Sequence, residues 1–204
     1  FGGIPKNLSI ALGSFGISPL EFAKFYSIFP NGGEIVEPSL IKRIINYKNL
    51  EAVFEPERLV VTQPEQAYIM TDMLRTVVDR GTGQNARLNG VQVAGKTGTT
   101  NNNIDAWFCG FTPEVEVVVW YGNDDNTPMR KVEGGGRTAA PVFKKFMESY
   151  MKEYPPKLKT FVEPEGVFHT AHEGVSEIYT KISPVPKQDA QDTLIKQDDE
   201  GLIF

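Results

Sequence analysis

The sequence is poor in the residues that form disulfides, metal clusters and nucleic-acid surfaces. Its 204 residues include one cysteine, Cys109, which excludes an internal disulfide and a zinc site built from several cysteines. It has two histidines, and 26 acidic residues against 21 basic ones give a formal net charge of −5. Because nucleic acids bind basic surfaces, this acidic composition predicts no nucleic-acid partner. We also predict that the protein has no metal and no cofactor.

Long apolar runs are lacking as well. None approaches the roughly 18 residues that a transmembrane helix needs, and no charged-then-apolar leader is visible, so we predict neither a membrane span nor a targeting segment here. The hydrophobic content of 40% is sufficient for one core. We expect residues 1–154 to form this domain, with residues 155–204 as an extension whose acidic end is a flexible tail.

Residues 90–100, GVQVAGKTGTT, fit two unrelated catalytic patterns. From the first glycine they spell the phosphate loop G-x-x-x-x-G-K-T, whereas residues 96–98 spell the K-T-G element of serine acyl-transferring enzymes. A phosphate loop curls ahead of a helix, but residues 91–94 alternate like a strand, and the glycine and asparagines after Thr97 disfavour a helix. The pattern therefore favours the K-T-G interpretation.

A strand at this place would present groups that acyl transfer uses. Lys96 and Gly98 would point to one face, and Thr97 and Thr99 to the other, unless a bulge at Gly98 brings them together. Lys96 would supply positive potential and a contact for proton transfer, and Gly98 would let a substrate backbone approach closely. The N–H of Thr99 would face a developing oxyanion, an interaction worth about 3 kcal/mol in comparable enzymes.

Further motifs surround this strand in a specific order. They are IALGS at residues 10–14, SPLE at 18–21, NGG at 31–33, GTG at 81–83, KTGTT at 96–100, DAWF at 105–108, GFTP at 110–113, GG at 135–136 and AP at 140–141. Together they resemble the carboxy-terminal half of the transpeptidase domain of class A, bifunctional penicillin-binding proteins.

The resemblance implies a fold, an activity and partners. The fold is α/β (α+β), an antiparallel sheet flanked by helices as in penicillin-binding transpeptidases and serine β-lactamases, incomplete at the amino terminus. The activity is D,D-transpeptidation, in which peptidoglycan stem peptides are cross-linked through an acyl-serine intermediate that β-lactams also form. The implied location is the periplasmic face of the inner membrane, anchored by an upstream segment, with other cell-wall synthesis proteins as candidate partners.

The resemblance also assigns roles to individual residues. Lys96 contacts the serine of the family's second motif and helps to move its proton. The hydroxyls of Thr97 and Thr99 bind the carboxylate of a D-alanyl terminus or of a β-lactam, and Gly98 and Thr100 complete the substrate-binding strand. The Thr99 N–H forms half of the oxyanion hole. Lys96 and Thr99 are thus the expected catalytic residues.

The family's nucleophile belongs to an S-x-x-K motif that is followed by S-x-N, both ahead of K-T-G. Ser39 and Ser149 match S-x-x-K by spelling, and no S-x-N occurs. Ser39 opens a β-prone run, and residues three apart on a strand face opposite sides, so Lys42 could not act on Ser39. Ser149 comes after K-T-G, which is the wrong order for the motif, and lies near the end of a helix. We therefore expect residue 1 to lie inside the domain, and an amino-terminal portion of the same domain to carry the nucleophile.

Two alternatives to a transpeptidase remain open. A D,D-carboxypeptidase or a serine β-lactamase relative would use the same K-T-G strand but would pass the acyl group to water. A non-catalytic fragment would fold alone and act as a binding or structural module. An upstream S-x-x-K motif would separate both enzymes from the module.

Caps and periodicity predict the helices and strands. Ser18 and Glu21 form a capping box, and residues 62–65 repeat it. We predict helices from residue 19 to about 30, from 64 to about 80 and from about 139 to 153, and strands near 91–99, 106–112 and 115–121. The predicted buried faces of the three helices are Phe22, Phe25, Ile28 and Phe29; Ala67, Met70, Met73, Leu74, Val77 and Val78; and Val142, Phe143, Phe146 and Tyr150.

Other conspicuous residues are predicted to have structural or solvent roles. Residues 134–137, GGGR, are typical of a solvent loop more than of a rim beside the cleft. Asp124 and Asp125 fit a solvated turn, and His169 and His172 fit surface histidines, because a zinc site needs further ligands. Cys109 lies among aromatic residues, which indicates a buried thiol and not a reactive one.

Overall fold

The computed structural model describes residues 15–172 and 175–185, together with Leu8 and Gly13. The motif at residues 10–14, apart from Gly13, and the acidic tail from residue 187 onward lie outside the described residues. The chain divides into two compact units, Phe1–Pro164 and Glu165–Phe204.

The first unit combines three α-helices and seven strands in its described part. The helices are α1 (Pro19–Tyr26), α2 (Pro64–Asp79) and α3 (Ala140–Glu153). The strands are β1 (Glu34–Val36), β2 (Arg43–Ile45), β3 (Glu51–Val53), β4 (Arg58–Val60), β5 (Ala94–Thr99), β6 (Asp105–Phe111) and β7 (Glu116–Gly122). A π-helical turn, Gly135–Ala139, leads directly into α3. Helices around antiparallel strands confirm the predicted α/β fold.

The central sheet has the order β5-β6-β7, with both pairs antiparallel. On one face Phe108 packs edge-on against Phe143 of α3, with 5.0 Å between ring centroids. On the other face Cys109 and Phe111 share a buried cluster with Tyr26 of α1. Helices α1 and α3 therefore cover opposite faces of the sheet, and α2 packs against β5, with Leu74 in one cluster and Val78 in the other.

Helix α1 begins as predicted but ends early. The Glu21 N–H donates to the Ser18 hydroxyl at 3.2 Å, and the Ser18 N–H donates back to the Glu21 carboxylate at 3.2 Å, which is the expected capping box. The helix stops at Tyr26, the buried residue that the prediction left out. Tyr26 is buried because its ring lies edge-on to Phe111 of the sheet, while Phe22 packs beside it.

The predicted second capping box at residues 62–65 is wrong. The N-cap of α2 is Gln63, and its side chain makes no capping hydrogen bond. Thr62 instead donates its backbone N–H to the Gly33 carbonyl, as does Val61, so tertiary contacts hold it in the β1–β4 region. Because the Thr62 N–H already donates to Gly33, it is not available to the Glu65 carboxylate, as a capping box would require.

The buried stripes of α2 and α3 are narrower than predicted. In α2 the buried residues are Ala67, Thr71, Leu74 and Val78, whereas Met70 and Met73 are 40% and 57% exposed. In α3 Phe143 and Met147 are buried, but Val142 and Phe146 are 49% and 50% exposed. The buried residues are spaced i, i+4, i+7 in α2 and i, i+3, i+7 in α3, so apolar residues beside these lines stay uncovered.

The remaining strands form small antiparallel pairs. In the first unit β1 pairs with β4 and β2 pairs with β3, and both strands of the β2–β3 hairpin are exposed throughout. In the second unit β8 (Phe168–His172) pairs with β9 (Val175–Tyr179). No helix in the described part of the chain has both the length and the apolar composition that crossing a bilayer requires.

A half-buried carboxyl group lies at the start of β7. Glu116 is paired with Phe111 in the β6–β7 register, and its Oε1 atom is enclosed without a hydrogen-bond partner among the described residues. Burial raises the pKa of Glu116 to about 8, and burial also raises the pKa of the neighbouring Cys109 thiol, with a further contribution from Glu116. Cys109 is therefore buried, as predicted, and unreactive at neutral pH.

Glu116 makes stability depend on pH in a defined window. The folded carboxyl keeps its proton up to about pH 8, but the unfolded one ionises near 4.5, so the free energy of unfolding falls as pH rises between these values. The variant Glu116→Gln stays neutral, and we expect its melting temperature to gain on the wild type steadily from about pH 5 to about pH 8.5. Exposed Glu153→Gln serves as the control and should keep the wild-type slope; parallel curves for Glu116→Gln would contradict the prediction.

Candidate active site

Three chain segments meet at the K-T-G end of β5. They are the loop of residues 81–83, strand β5 itself and the π-helical turn Gly135–Ala139. The loop is fastened to the end of α2, because the N–H groups of Gly81 and Gly83 both donate to the Val77 carbonyl, at 3.1 and 3.0 Å. Residues far apart in the sequence therefore surround Thr97 and Thr99.

Strand β5 separates its side chains as the alternation predicted. Lys96 pairs with Cys109, whose side chain lies in the cluster under α1, so Lys96 and Gly98 belong to the α1 face. Thr97 pairs with Phe108, which lies in the cluster with α3, so Thr97 and Thr99 belong to the α3 face. The register runs without interruption from Ala94 to Thr99, so no bulge at Gly98 brings the two sets together.

The backbone N–H groups of Thr97 and Thr99 point to the outer edge of β5. The Thr100 N–H donates to the Asp105 carbonyl at 3.1 Å, and antiparallel strands bond at every second residue. Gly98 and Lys96 thus bond to β6, whereas the N–H and C=O groups of Thr97 and Thr99 point away from β6. No strand in the described part of the chain pairs with this edge. It can therefore accept an added extended peptide.

Lys96 lies at the same open edge. It is exposed, and its Nζ donates to the Thr97 carbonyl at 2.8 Å. Its ammonium group is thereby folded along the strand, within reach of anything that binds beside Thr97. The Lys96 side chain starts on the α1 face of the sheet, and the hydroxyls of Thr97 and Thr99 lie on its α3 face. The edge of β5 lies between these faces, so a ligand bound there can contact both the ammonium group and the hydroxyls.

Each threonine hydroxyl of the strand has a different partner. The Thr97 hydroxyl lies 2.7 Å from the Thr82 hydroxyl. The Thr99 hydroxyl accepts a hydrogen bond from the Gly135 N–H at 3.1 Å, which leaves its own proton available. The Thr100 hydroxyl accepts from the Asp105 N–H at 2.8 Å and so closes the β5–β6 turn. Thr97 and Thr99 are the hydroxyls placed beside the open edge.

The glycine-rich segment before α3 is not the solvent loop that was predicted. Gly135 is buried, and a Cβ atom there would lie 2.3 Å from the Trp107 carbonyl oxygen and 2.5 Å from that of Gly98. Only a residue without a side chain allows this turn to cross the sheet so closely. The turn is thereby pressed onto the K-T-G strand, and its N–H reaches Thr99.

Two asparagines that no sequence pattern singled out hold this turn and the segment before it. The Asn85 side-chain amide donates to the Gly136 carbonyl at 2.8 Å. The Asn103 side-chain amide donates to the Arg130 carbonyl at 2.6 Å and to the Glu133 carbonyl. Neither residue lies in a catalytic pattern. For Thr82, the third residue that the sequence analysis did not assign to the site, the G-T-G motif at residues 81–83 was the only sequence feature that could have drawn attention to it.

The other candidate features lie elsewhere or serve other purposes. Lys96 and Thr97 lie inside a strand, so the phosphate-loop interpretation, which needs a helix beginning there, is wrong. Ser39 donates to the Ile41 carbonyl and Ser149 to the Lys145 carbonyl, and neither lies in the three segments around β5. Asp125 accepts from the N–H and hydroxyl of Thr127, which lowers its pKa and closes the predicted turn.

No metal-binding group is found in the part of the chain that the structure describes, which includes no cluster of three His, Cys, Asp or Glu side chains. His169 is exposed on strand β8, and Trp107 braces the central sheet through ring contacts with Phe22 and Trp120. The groups present at the β5 edge are the hydroxyls of Thr97 and Thr99, the Lys96 ammonium group and backbone N–H groups.

Known proteins are similar to this chain in sequence and in fold. Residues 4–148 match the penicillin binding protein transpeptidase domain. Penicillin-binding protein 1A of Neisseria meningitidis is 36% identical over 97% of the chain, which spans 26% of that protein, about a quarter of its length. Penicillin-binding protein 1A of Haemophilus influenzae shares the fold, with a TM-score of 0.73 and 21% identity over 88% of this chain and 34% of the other.

A further structure agrees in fold and sequence. The D,D-transpeptidase domain of a peptidoglycan glycosyltransferase from Eggerthella lenta superposes with a TM-score of 0.56 and 26% identity, covering 68% of this chain and 33% of that one. The matched residues include β5, β6, β7 and most of α3, which form the site described above. The chain belongs to the family of penicillin-binding protein transpeptidase domains.

Proposed function

We propose that this chain forms one wall of a serine-type D,D-transpeptidase site that cross-links peptidoglycan stem peptides. The observation that carries the proposal is the open edge of β5, where the outward N–H of Thr99 lies beside the hydroxyls of Thr97 and Thr99. An extended D-alanyl peptide adds to this edge as a further strand. Its terminal carboxylate accepts hydrogen bonds from the two hydroxyls, and Thr100 supports them by closing the turn.

The chemistry is acyl transfer through a serine ester. A serine oxygen attacks the carbonyl of the scissile D-alanyl bond, and the Thr99 N–H stabilises the oxyanion that forms. The bond to the terminal D-alanine breaks, and its amine leaves with a proton. An amine of a second stem peptide then attacks the ester, and the serine regains its proton. Lys96, 2.8 Å from the Thr97 carbonyl at the same edge, supplies positive potential and takes part in this proton movement.

The nucleophile in this proposal lies on residues outside these 204, in an S-x-x-K motif of the same domain. Neither Ser39 nor Ser149 belongs to the segments that surround β5, and the chain spans 26% of its Neisseria relative. We further propose that the parent is a class A enzyme, since the relatives are named penicillin-binding protein 1A. Its expected location is outside the cytoplasm, anchored to the membrane by an upstream segment.

Acylation by a penicillin tests the proposal directly. We expect the parent protein, or this chain extended upstream through S-x-x-K, to gain the mass of one penicillin in intact-mass spectrometry. The 204-residue chain alone is expected to gain none. The extended chain carrying Ser149→Ala is the matched control and should be acylated like the wild type.

Each of the other outcomes has a definite meaning. Acylation of the short chain would place the nucleophile within these 204 residues, with Ser39 and Ser149 as the first candidates, and would overturn the proposed location. No acylation of the extended chain would remove the transpeptidase proposal itself. For an acylated protein, transfer of a D,D-peptide to an added amine distinguishes a transpeptidase from a carboxypeptidase, which releases the acyl group to water.

A further inference from the structure

Thr82 lies outside the K-T-G strand, yet its hydroxyl is in direct contact with it. The Thr82 and Thr97 hydroxyl oxygens are 2.7 Å apart, a normal length for a hydrogen bond between hydroxyls. Thr82 sits in the short connection after α2, between two N–H groups that both bond to the Val77 carbonyl. Its position is therefore set by the end of α2 and not by β5.

The number of protons on the two hydroxyls determines the direction of the hydrogen bond between Thr82 and Thr97 when an anion binds. Each threonine hydroxyl has one proton to donate and two lone pairs that accept. A bound carboxylate only accepts, so Thr97 has to give its proton to the carboxylate. Thr82 then donates to the Thr97 oxygen, and the pair becomes a short chain of hydrogen bonds that ends on the anion.

The neighbouring hydroxyl is arranged in the same way by a different donor. The Gly135 N–H donates to the Thr99 oxygen at 3.1 Å, so the Thr99 proton is also left for the ligand. The two segments that contact these hydroxyls, the one with Thr82 and the one with Gly135, are also bonded to each other. The Asn85 side-chain amide, three residues after Thr82, donates to the Gly136 carbonyl at 2.8 Å. A Cβ atom on Gly136 would lie 2.4 Å from the Thr82 carbonyl oxygen, which shows how closely the two segments pack.

We infer that Thr82 is a positioning residue, which holds the Thr97 hydroxyl with its proton directed to the carboxylate of the ligand. The inference rests on the proposed function of the β5 edge. It assigns to the loop of residues 81–83 a part in selecting ligands that carry a carboxylate. Without the Thr82 hydroxyl, Thr97 would rotate among its rotamers and lose part of its preference for a carboxylate.

The test uses the parent protein with two substitutions at this position. Thr82→Val keeps the shape of the side chain and removes the hydroxyl, and Thr82→Ser restores the hydroxyl. We expect Thr82→Val to lower the second-order rate constant of acylation by a penicillin about tenfold. The rate constant for the methyl ester of the same penicillin, which has no carboxylate, should stay unchanged. Thr82→Ser should recover the wild-type preference to within about twofold.

A double-substitution cycle separates positioning from a general structural role. Thr97→Val alone should lose the preference for the carboxylate, and adding Thr82→Val to it should cause no further loss. Equal slowing of the penicillin and its ester by Thr82→Val would show a structural effect and overturn the inference, as would no change with either compound. A wild-type protein that is not acylated at all would instead contradict the proposed function, so the two failures are distinct.

Discussion

Replacing Thr99 with proline is expected to slow the acylation of the parent protein by penicillin about 100- to 1000-fold, the usual cost of losing one oxyanion donor. Proline has no backbone N–H, and the Thr99 N–H points to the open edge of β5 instead of to β6. The ladder between the two strands therefore keeps its hydrogen bonds. Thr99→Val, which retains the N–H and loses only the hydroxyl, is expected to lose much less, about tenfold.

Two measurements keep this result interpretable. Thermal unfolding should show that Thr99→Pro remains folded, since no bond of the sheet is removed. Gly98→Pro is the matched control, because the Gly98 N–H lies on the side of β5 that bonds to β6. This variant should have a lower melting temperature than Thr99→Pro, since it loses a hydrogen bond of the sheet. Equal acylation rates for Thr99→Pro and Thr99→Val would show that the Thr99 N–H does not face the oxyanion.

Replacing Phe143 with alanine is expected to lower the free energy of unfolding by about 3–5 kcal/mol. Phe143 has no exposed surface, and its ring lies 5.0 Å from that of Phe108, the residue of β6 that pairs with Thr97 of the K-T-G strand. Removing it leaves a cavity under the sheet. Phe146 is on the same helix but 50% exposed, so Phe146→Ala is expected to cost about 1 kcal/mol, mainly its stacking on Tyr150.

Urea denaturation of the chain, followed by the fluorescence of its two tryptophans, measures the difference. Both tryptophans, Trp107 and Trp120, lie on the central sheet, so the signal reports the element that α3 covers. The denaturant slopes of the two variants should agree, which makes the midpoints comparable. Equal losses from the two substitutions would mean that Phe146 is as buried as its helical periodicity predicted.

The sequence predicted helices and strands well where the interactions that form them involve residues close together in the chain. The capping box at Ser18 and the first-turn proline of α1 act within one helical turn, so they could be identified without a fold. A strand near residues 91–99 was also predicted. Strand β5 begins only at Ala94, so residues 91–93, whose alternation suggested the strand, precede it, whereas the two faces of residues 96–99 are as predicted. These features depend on backbone geometry and on residues within four positions of each other.

Burial was predicted less well because it depends on what each element meets. Met70, Met73 and Phe146 have the hydrophobicity and spacing of core residues, yet all three are at least 40% exposed. Thr71, a polar residue, is buried in α2, where its hydroxyl donates to the Ala67 carbonyl at 2.9 Å. Periodicity identifies which residues share a face, but it contains no information about which part of that face is covered.

The sequence alone determined the K-T-G strand, the order of the motifs around it and hence the family. The tertiary structure decided how the site is completed: Thr82 comes from the end of α2, and the Gly135 N–H from a turn 36 residues beyond Thr99. It also decided which edge of β5 is open. The reason is physical, since hydrogen bonds between distant segments follow from how helices and strands pack, and packing is a property of the whole chain and not of any local pattern.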